Sequence, residues 1–206
     1  TYTTKAGENI DLTAGADTTF TTSSDDITFG TGTVEMGNGS NLIIDTGTGG
    51  GSINLPAGVM GTSSETITLT AGTGTVAIGA VGTGTEIADV SITTTGNTTF
   101  SGDFTGGALT NTGPAIVSEN ITFGTTGAVT FGSTLDSTNG NQTVTFNSPS
   151  YEINITGVVG GSNPFSTFRL LMPTNLLIVG EVPSRALVQV SSAELEVLQS
   201  SILALQ

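Results

Sequence analysis

The sequence contains no cysteine, no histidine and no tryptophan. Without cysteine the chain has no disulfides, no thiol catalysis and no thiolate metal sites. Without histidine it lacks the commonest metal ligand and the usual acid–base group at neutral pH. Charged residues make up 10% of the chain, less than half of the roughly 25% typical of a globular domain.

Basic residues are almost missing as well. Lys5, Arg169 and Arg185 stand against seventeen acidic residues, which gives a net charge of −14. Nucleic-acid binding needs Lys and Arg to neutralise phosphates, and attachment to an anionic membrane surface needs the same residues. No apolar run reaches the ~20 residues that span a bilayer. We therefore predict no nucleic-acid partner and no direct membrane insertion. The start at Thr1, without a signal peptide, predicts a mature form or a fragment.

Thr, Gly, Ser and Asn are abundant, and short alternating apolar pairs recur among them at intervals of 22 to 26 residues. Two alternating apolar residues followed by Gly, Asn or Asp indicate a short strand that ends in a turn. The second members of one predicted column are Phe29, Leu55, Ile78, Phe100, Phe123 and Phe146. A second column contains Phe20, Ile44, Leu69 and Ile92, and a third contains Leu12 and Met36 near the start and Phe131 and Ile155 near the end.

A sustained repeat of this length indicates a repeat architecture, and the absence of helical periodicity favours a β-solenoid. Each coil would stack about 4.8 Å above the last, so that every column becomes a parallel sheet. Residues 1–156 are predicted to form six or seven coils, whose stability comes from stacked neighbours and whose ends expose strand edges. The predicted outward row contains Thr28, Asn54, Ala77, Thr99, Thr122 and Thr145.

Residues 157–206 are predicted to be a non-repetitive, partly helical cap or assembly segment. The period fades there and the composition becomes more apolar. Ser191 and Glu194 have the S-x-x-E spacing of a capping box. An amphipathic helical stripe follows, made of Leu195, Leu198, Ile202 and Leu205.

Three segments carry a resemblance to a known family: ITLTAGTGTVAIGAVG from Ile67, DVSITTTGNTTFSGDF from Asp89, and NITFGTTGAVTFGSTLDSTNGNQTVTF from Asn120. In style and period they resemble the filamentous haemagglutinin-type surface proteins of bacteria. The resemblance implies a right-handed parallel β-helix, secretion across an outer membrane, a role in attachment or matrix building, and no cofactor.

No residue is predicted to be catalytic, to bind a cofactor or to ligate a metal. Asp25 and Asp26 form the only adjacent acidic pair before the tail and are interpreted as a solvated turn, with a calcium or sugar contact as the alternative. The calcium-binding pattern G-G-x-G-x-D is absent. The glycine-rich runs TGTGGGS and GTGTEI are interpreted as turns, because no Lys follows them as a phosphate loop requires.

The leading hypothesis is an extracellular or cell-surface, non-enzymatic structural protein: an adhesin or a self-assembling filament or matrix subunit. Its predicted partners are further copies of itself, joined end to end or through the C-terminal segment, and a host-cell or polysaccharide surface. One alternative is a carbohydrate-active β-helix enzyme, although a lyase for acidic polymers would need basic residues. The other is an ice-binding solenoid with ranked threonines. Five N-glycosylation sequons also occur, at Asn38, Asn97, Asn120, Asn141 and Asn154.

Overall fold

In the computed structural model the chain is an all-β solenoid, described for residues 2–4, 7–62, 65–171, 177–178 and 187–190. These residues contain no helix, and most of their strands are short because each spans one side of a coil. The strands are β1 (Tyr2–Thr3), β2 (Ile10–Leu12), β3 (Thr18–Thr21), β4 (Ile27–Thr28), β5 (Val34–Met36), β6 (Leu42–Asp45), β7 (Ile53–Leu55), β8 (Val59–Met60), β9 (Thr66–Gly72), β10 (Val76–Ile78), β11 (Ile87–Thr94), β12 (Thr98–Phe100), β13 (Phe104–Asn111), β14 (Ala115–Val117), β15 (Ile121–Thr125), β16 (Val129–Phe131), β17 (Leu135–Ser137), β18 (Thr143–Asn147), β19 (Ile153–Ile155), β20 (Thr167–Leu171), β21 (Leu177–Ile178) and β22 (Leu187–Val190).

The strands line three faces of the solenoid, and every pairing between them is parallel. The first face runs β1-β4-β7-β10-β12-β14-β17. The second begins β2-β5-β8, passes through the single bridge residue Val81, and continues through the start of β13 to β15, β18, β20 and β22. The third runs β3-β6-β9-β11, then the end of β13, and then β16, β19 and β21. Residues 2–155 therefore make seven coils, which confirms the prediction of six or seven.

The strand registers confirm some of the predicted columns and correct others. The second column is confirmed, since Phe20, Ile44, Leu69 and Ile92 lie in consecutive register on the third face. The first column is confirmed as far as Phe100. Beyond it the prediction was wrong: Phe100 aligns with Val117.

The two remaining members of the first column lie on another face. Phe123 and Phe146 align with each other and with Phe104 on the second face. The third predicted column is likewise divided between faces. Leu12 and Met36 align on the second face, whereas Phe131 and Ile155 align on the third.

The first column changes partner at Phe100 because the fifth coil is shorter than the others. Its strand β13 runs through both the second and the third face without a loop, and the pair Gly106–Gly107 lies at the corner between them. A Cβ atom at Gly107 would lie 1.7 Å from the carbonyl oxygen of Ala88 in the coil below, so only glycine fits. This compact corner makes the fifth coil several residues shorter than the others. A column predicted with a constant period therefore loses its alignment there.

Alternate residues point inward on every face, and the inward ones fill the solenoid. The apolar residues of the columns are 0–3% exposed along most of the stack, and Leu12 at the N-terminal end is 7% exposed. The outward row on the first face is confirmed for Thr28, Asn54, Ala77 and Thr99, which align and are half-buried. Thr122 and Thr145 also align and are half-buried, but on the second face.

Parallel stacking continues past residue 156, where the sequence predicted a boundary. Val159 bridges Leu135 on the first face. β20 pairs with β18, β21 pairs with β19, and β22 pairs with β20. The predicted capping box and helical stripe, residues 191–205, lie outside the described residues.

Candidate functional surfaces

The interior of the solenoid is packed with side chains, and its C-terminal half contains a continuous aromatic core. Phe123 stacks on Phe146, with ring centroids 5.1 Å apart and planes 13° apart. Phe146 in turn contacts Phe168 at 5.5 Å, and Phe100 and Phe131 meet these rings edge to face. Such a core leaves function to the outer faces, the corners and the ends.

Buried polar residues interrupt the apolar columns at several positions, and Asn111 is the largest of the three in named strands that replace an apolar neighbour. Asn111 occupies the position between Ile92 and Phe131 on the third face and is fully buried. Its Oδ1 accepts a hydrogen bond from the Thr98 hydroxyl at 2.7 Å, and its Nδ2 donates to the carbonyl oxygen of Gly113 at 2.7 Å. Because the amide oxygen and the amide nitrogen each have a hydrogen-bond partner, both are satisfied in the buried side chain. The role of Asn111 is to close the corner of the shortened coil.

Side-chain oxygens at the corners accept hydrogen bonds from the backbone of the next coil. In eight cases a backbone N–H lying 19 to 26 residues further along donates to such an oxygen, at 2.8–3.2 Å. Six of these bonds continue the ladder beside strand ends, whereas Asp89 and Asp136 accept theirs from within β11 and β17, so the accepting residues are structural. The accepting residues are Asn9, Asp26, Asn41, Ser52, Asp89, Asp103, Asn120 and Asp136.

The adjacent acidic pair, Asp25 and Asp26, lies at one of these corners. Asp25 and Asp26 are both exposed at a corner, and Asp26 Oδ1 accepts the N–H of Ser52 at 2.8 Å. The carbonyl oxygen of Asp25 accepts from the Thr22 hydroxyl at 2.6 Å. Within the part of the chain that the structure describes, no three acidic residues come together as a metal site would require.

One fully buried carboxylate was not predicted from the sequence. Glu65 is 0% exposed and accepts hydrogen bonds from the backbone N–H groups of Thr62, at 2.7 Å, and Gly39, at 3.0 Å. The Thr62 hydroxyl also donates to it. The T-x-x-E spacing from Thr62 to Glu65 is the signal that could have found this pair, in which Thr62 donates both bonds and the carboxylate accepts them. Its bond to Gly39 ties one corner to the preceding coil.

The glycine-rich runs are turns, as predicted. Residues 48–50 and 82–85 are bends, and Gly47, Gly82 and Gly84 have φ values of 77°, 69° and 86°. Buried Thr46 closes the first turn by donating to the carbonyl oxygen of Gly51 at 2.7 Å. No phosphate-binding helix follows either run in the described residues.

In the described part of the chain, the third face ends at an edge strand, β3. Among the described residues, β3 pairs only with β6. Thr18 and Thr22 donate their backbone N–H groups to Asn41 and Asp45 of the next coil. Because N–H groups alternate in direction along a strand, those of Thr19 and Thr21 point to the open side. Phe20, between them, is only partly buried.

The third face displays threonine and serine in a regular array. Thr68, Ser91, Thr110 and Thr130 align across four consecutive coils. A second row runs parallel to the first, where Thr70 aligns with Thr93. Ile43 and Asp45 interrupt these rows in the second coil.

Four of the five sequon asparagines are exposed, and the fifth lies within a strand. Asn38, Asn97, Asn120 and Asn141 are exposed at turns or strand ends, although Asn120 Oδ1 also accepts from the backbone of Thr143. Asn154 lies within β19, and its Oδ1 is buried without a hydrogen-bond partner in the described residues.

Comparison with protein-family models, with curated proteins and with solved structures gave no match. The resemblance to filamentous haemagglutinin-type proteins therefore stays a prediction. In the described part of the chain, we find no helix with the length and apolar character needed to cross a membrane.

Proposed function

We propose that the chain is a non-enzymatic structural protein of the cell exterior, a rod that joins further copies of itself end to end. The observation that carries the proposal is the open edge of β3, because unpaired N–H and C=O groups on an edge strand recruit another strand. This edge has no Lys and no Pro, two of the residues with which proteins block edges. All four residues of β3, TTFT, are uncharged.

The composition of the solenoid supports the same proposal. The interior is filled by side chains, and many acidic and amide side chains are engaged in bonds between coils. A rod built in this way is stiff, and a net charge of −14 favours solubility. The resemblance in repeat style suggests an adhesin, filament or matrix subunit at a bacterial surface.

Proline at position 19 tests the proposed assembly. Thr19→Pro removes an N–H that points to the open side and leaves the bonds from Thr18 and Thr22 to the next coil in place. We expect electron microscopy at rising concentration to show rods lengthening for the unmodified chain. We expect the variant to stay as single particles with an unchanged circular dichroism spectrum.

The matched control is Thr68→Ala, on the outward side of a central strand. It leaves the edge intact and is expected to assemble like the unmodified chain. Rods of equal length from Thr19→Pro, or strictly monomeric unmodified protein at every concentration, would contradict end-to-end assembly through this edge.

The threonine array favours ice binding as a second candidate function. Threonine is stiff at χ1, so its hydroxyl and methyl groups form a fixed pattern, here across the aligned rows of Thr68 and Thr70. An ice-binding face is expected to produce thermal hysteresis, which Thr110→Lys at the centre of the array would abolish. The control Thr99→Lys changes the first face. Absence of hysteresis in the unmodified chain would exclude this function.

A further inference from the structure

A groove of about 500 Å³ lies on the second face, where the fifth, sixth and seventh coils meet. It arises from a gap in an outward row. Thr105, Gly124 and Asn147 align across these coils, and Gly124 contributes no side chain. The floor of the groove is therefore bare backbone between two polar side chains.

Neither the backbone nor the packing requires glycine at position 124. Gly124 is not among the glycines with positive φ. A Cβ atom there would approach only the carbonyl oxygen of Phe104, at an ordinary 3.6 Å. Gly107, by contrast, cannot carry a Cβ at all. The lack of a side chain at position 124 leaves the space of the groove open.

The walls of the groove carry many acceptors of hydrogen bonds. Asp103 Oδ1 accepts the N–H of Thr122 at 2.8 Å, which holds this carboxylate in the wall. A carboxylate has about four lone-pair sites, so Asp103 keeps capacity for further donors. Glu86 supplies a second carboxylate and Asn147 an amide, and none of the described lining residues is basic.

A guest that carries several hydroxyl groups can donate hydrogen bonds to these carboxylates. The Thr125 hydroxyl is not part of the site, because alternation along β15 turns this side chain inward, where it is 2% exposed.

We propose that this groove binds a neutral saccharide of one or two sugar rings. The volume lies within the range of about 300–1,000 Å³ usual for small-molecule sites. The carboxylates would repel an anionic sugar, whereas the hydroxyls of a neutral one are donors that they accept. The site lies on the flank of the rod, away from the open edge of β3, so its binding does not depend on assembly.

The test is ligand-observed NMR on the full chain. The panel contains glucose, galactose, mannose, N-acetylglucosamine, lactose, maltose and cellobiose at millimolar concentration, and calcium binding is measured separately by isothermal titration calorimetry. We expect at least one sugar to show saturation transfer. Gly124→Thr fills the gap and should abolish this signal without lowering the unfolding midpoint. Asp103→Asn keeps the acceptor for Thr122 and should weaken binding by about tenfold or more.

Thr130→Ala, on the third face, is the matched control and should bind like the unmodified chain. Three outcomes would overturn the proposal: no sugar of the panel binds, binding persists in Gly124→Thr, or the groove binds calcium alone. None of these outcomes bears on the end-to-end assembly, which Thr19→Pro tests separately.

Discussion

Replacement of Phe123 by alanine is expected to lower the free energy of unfolding by about 3–5 kcal/mol. Phe123 is fully buried at the centre of the aromatic core. Its ring stacks on Phe146 and meets Phe100 and Phe131 edge to face, at 5.4 and 5.6 Å. Truncation removes apolar burial, leaves a cavity in a rigid stack, and deletes ring contacts of about 0.5–1.5 kcal/mol each.

The loss should be local as well as large. In a solenoid each coil contacts its neighbours, so stability depends on the interfaces between them. Hydrogen exchange should therefore show β13, β15 and β18 losing protection more than β6 and β7. The control Thr145→Ala removes an outward, half-buried side chain from the same face and should change stability by no more than about 0.5 kcal/mol. Equal losses in the two variants would contradict this account of the core.

The solenoid could be predicted from the sequence because its signal is periodic. The alignment of Phe20, Ile44, Leu69 and Ile92 depends only on regular spacing and alternation, and the structure confirms it. The same reasoning failed at Phe100, where the Gly106–Gly107 corner removes residues from one coil. The pattern of apolar residues does not show how many residues a corner contains.

The candidate sites were harder to predict, because they depend on which outward residues become neighbours. Gly124 and Asn147 are one period apart, but Thr105 joins them only through the shortened coil, so the period alone could not place all three together. Glu65 and the acceptors at the corners also looked like ordinary polar residues of turns. Apart from Thr62, which is close to Glu65 in sequence, their partners lie 19 to 26 residues away, and only the register of the coils identifies these.

Two glycines with the same positive φ should respond differently to alanine. Gly58 and Gly84 both have φ of 86°. A Cβ at Gly84 would have no neighbour within 4 Å, whereas one at Gly58 would lie 1.8 Å from the carbonyl oxygen of Ala80 in the next coil. Gly84→Ala is expected to cost about 1–2 kcal/mol, the penalty of the left-handed conformation alone.

Gly58→Ala should cost that penalty and about 1–3 kcal/mol more, because overpacking shifts backbone. The Ala80 carbonyl cannot simply move away, since it accepts the N–H of Val59 at 2.8 Å, and the Gly58 carbonyl accepts from Val34 of the preceding coil. The clash therefore displaces three stacked coils. Denaturant titration of both variants measures the difference in unfolding free energy. Equal losses would show that strain at φ, and not contact between coils, decides where this solenoid needs glycine.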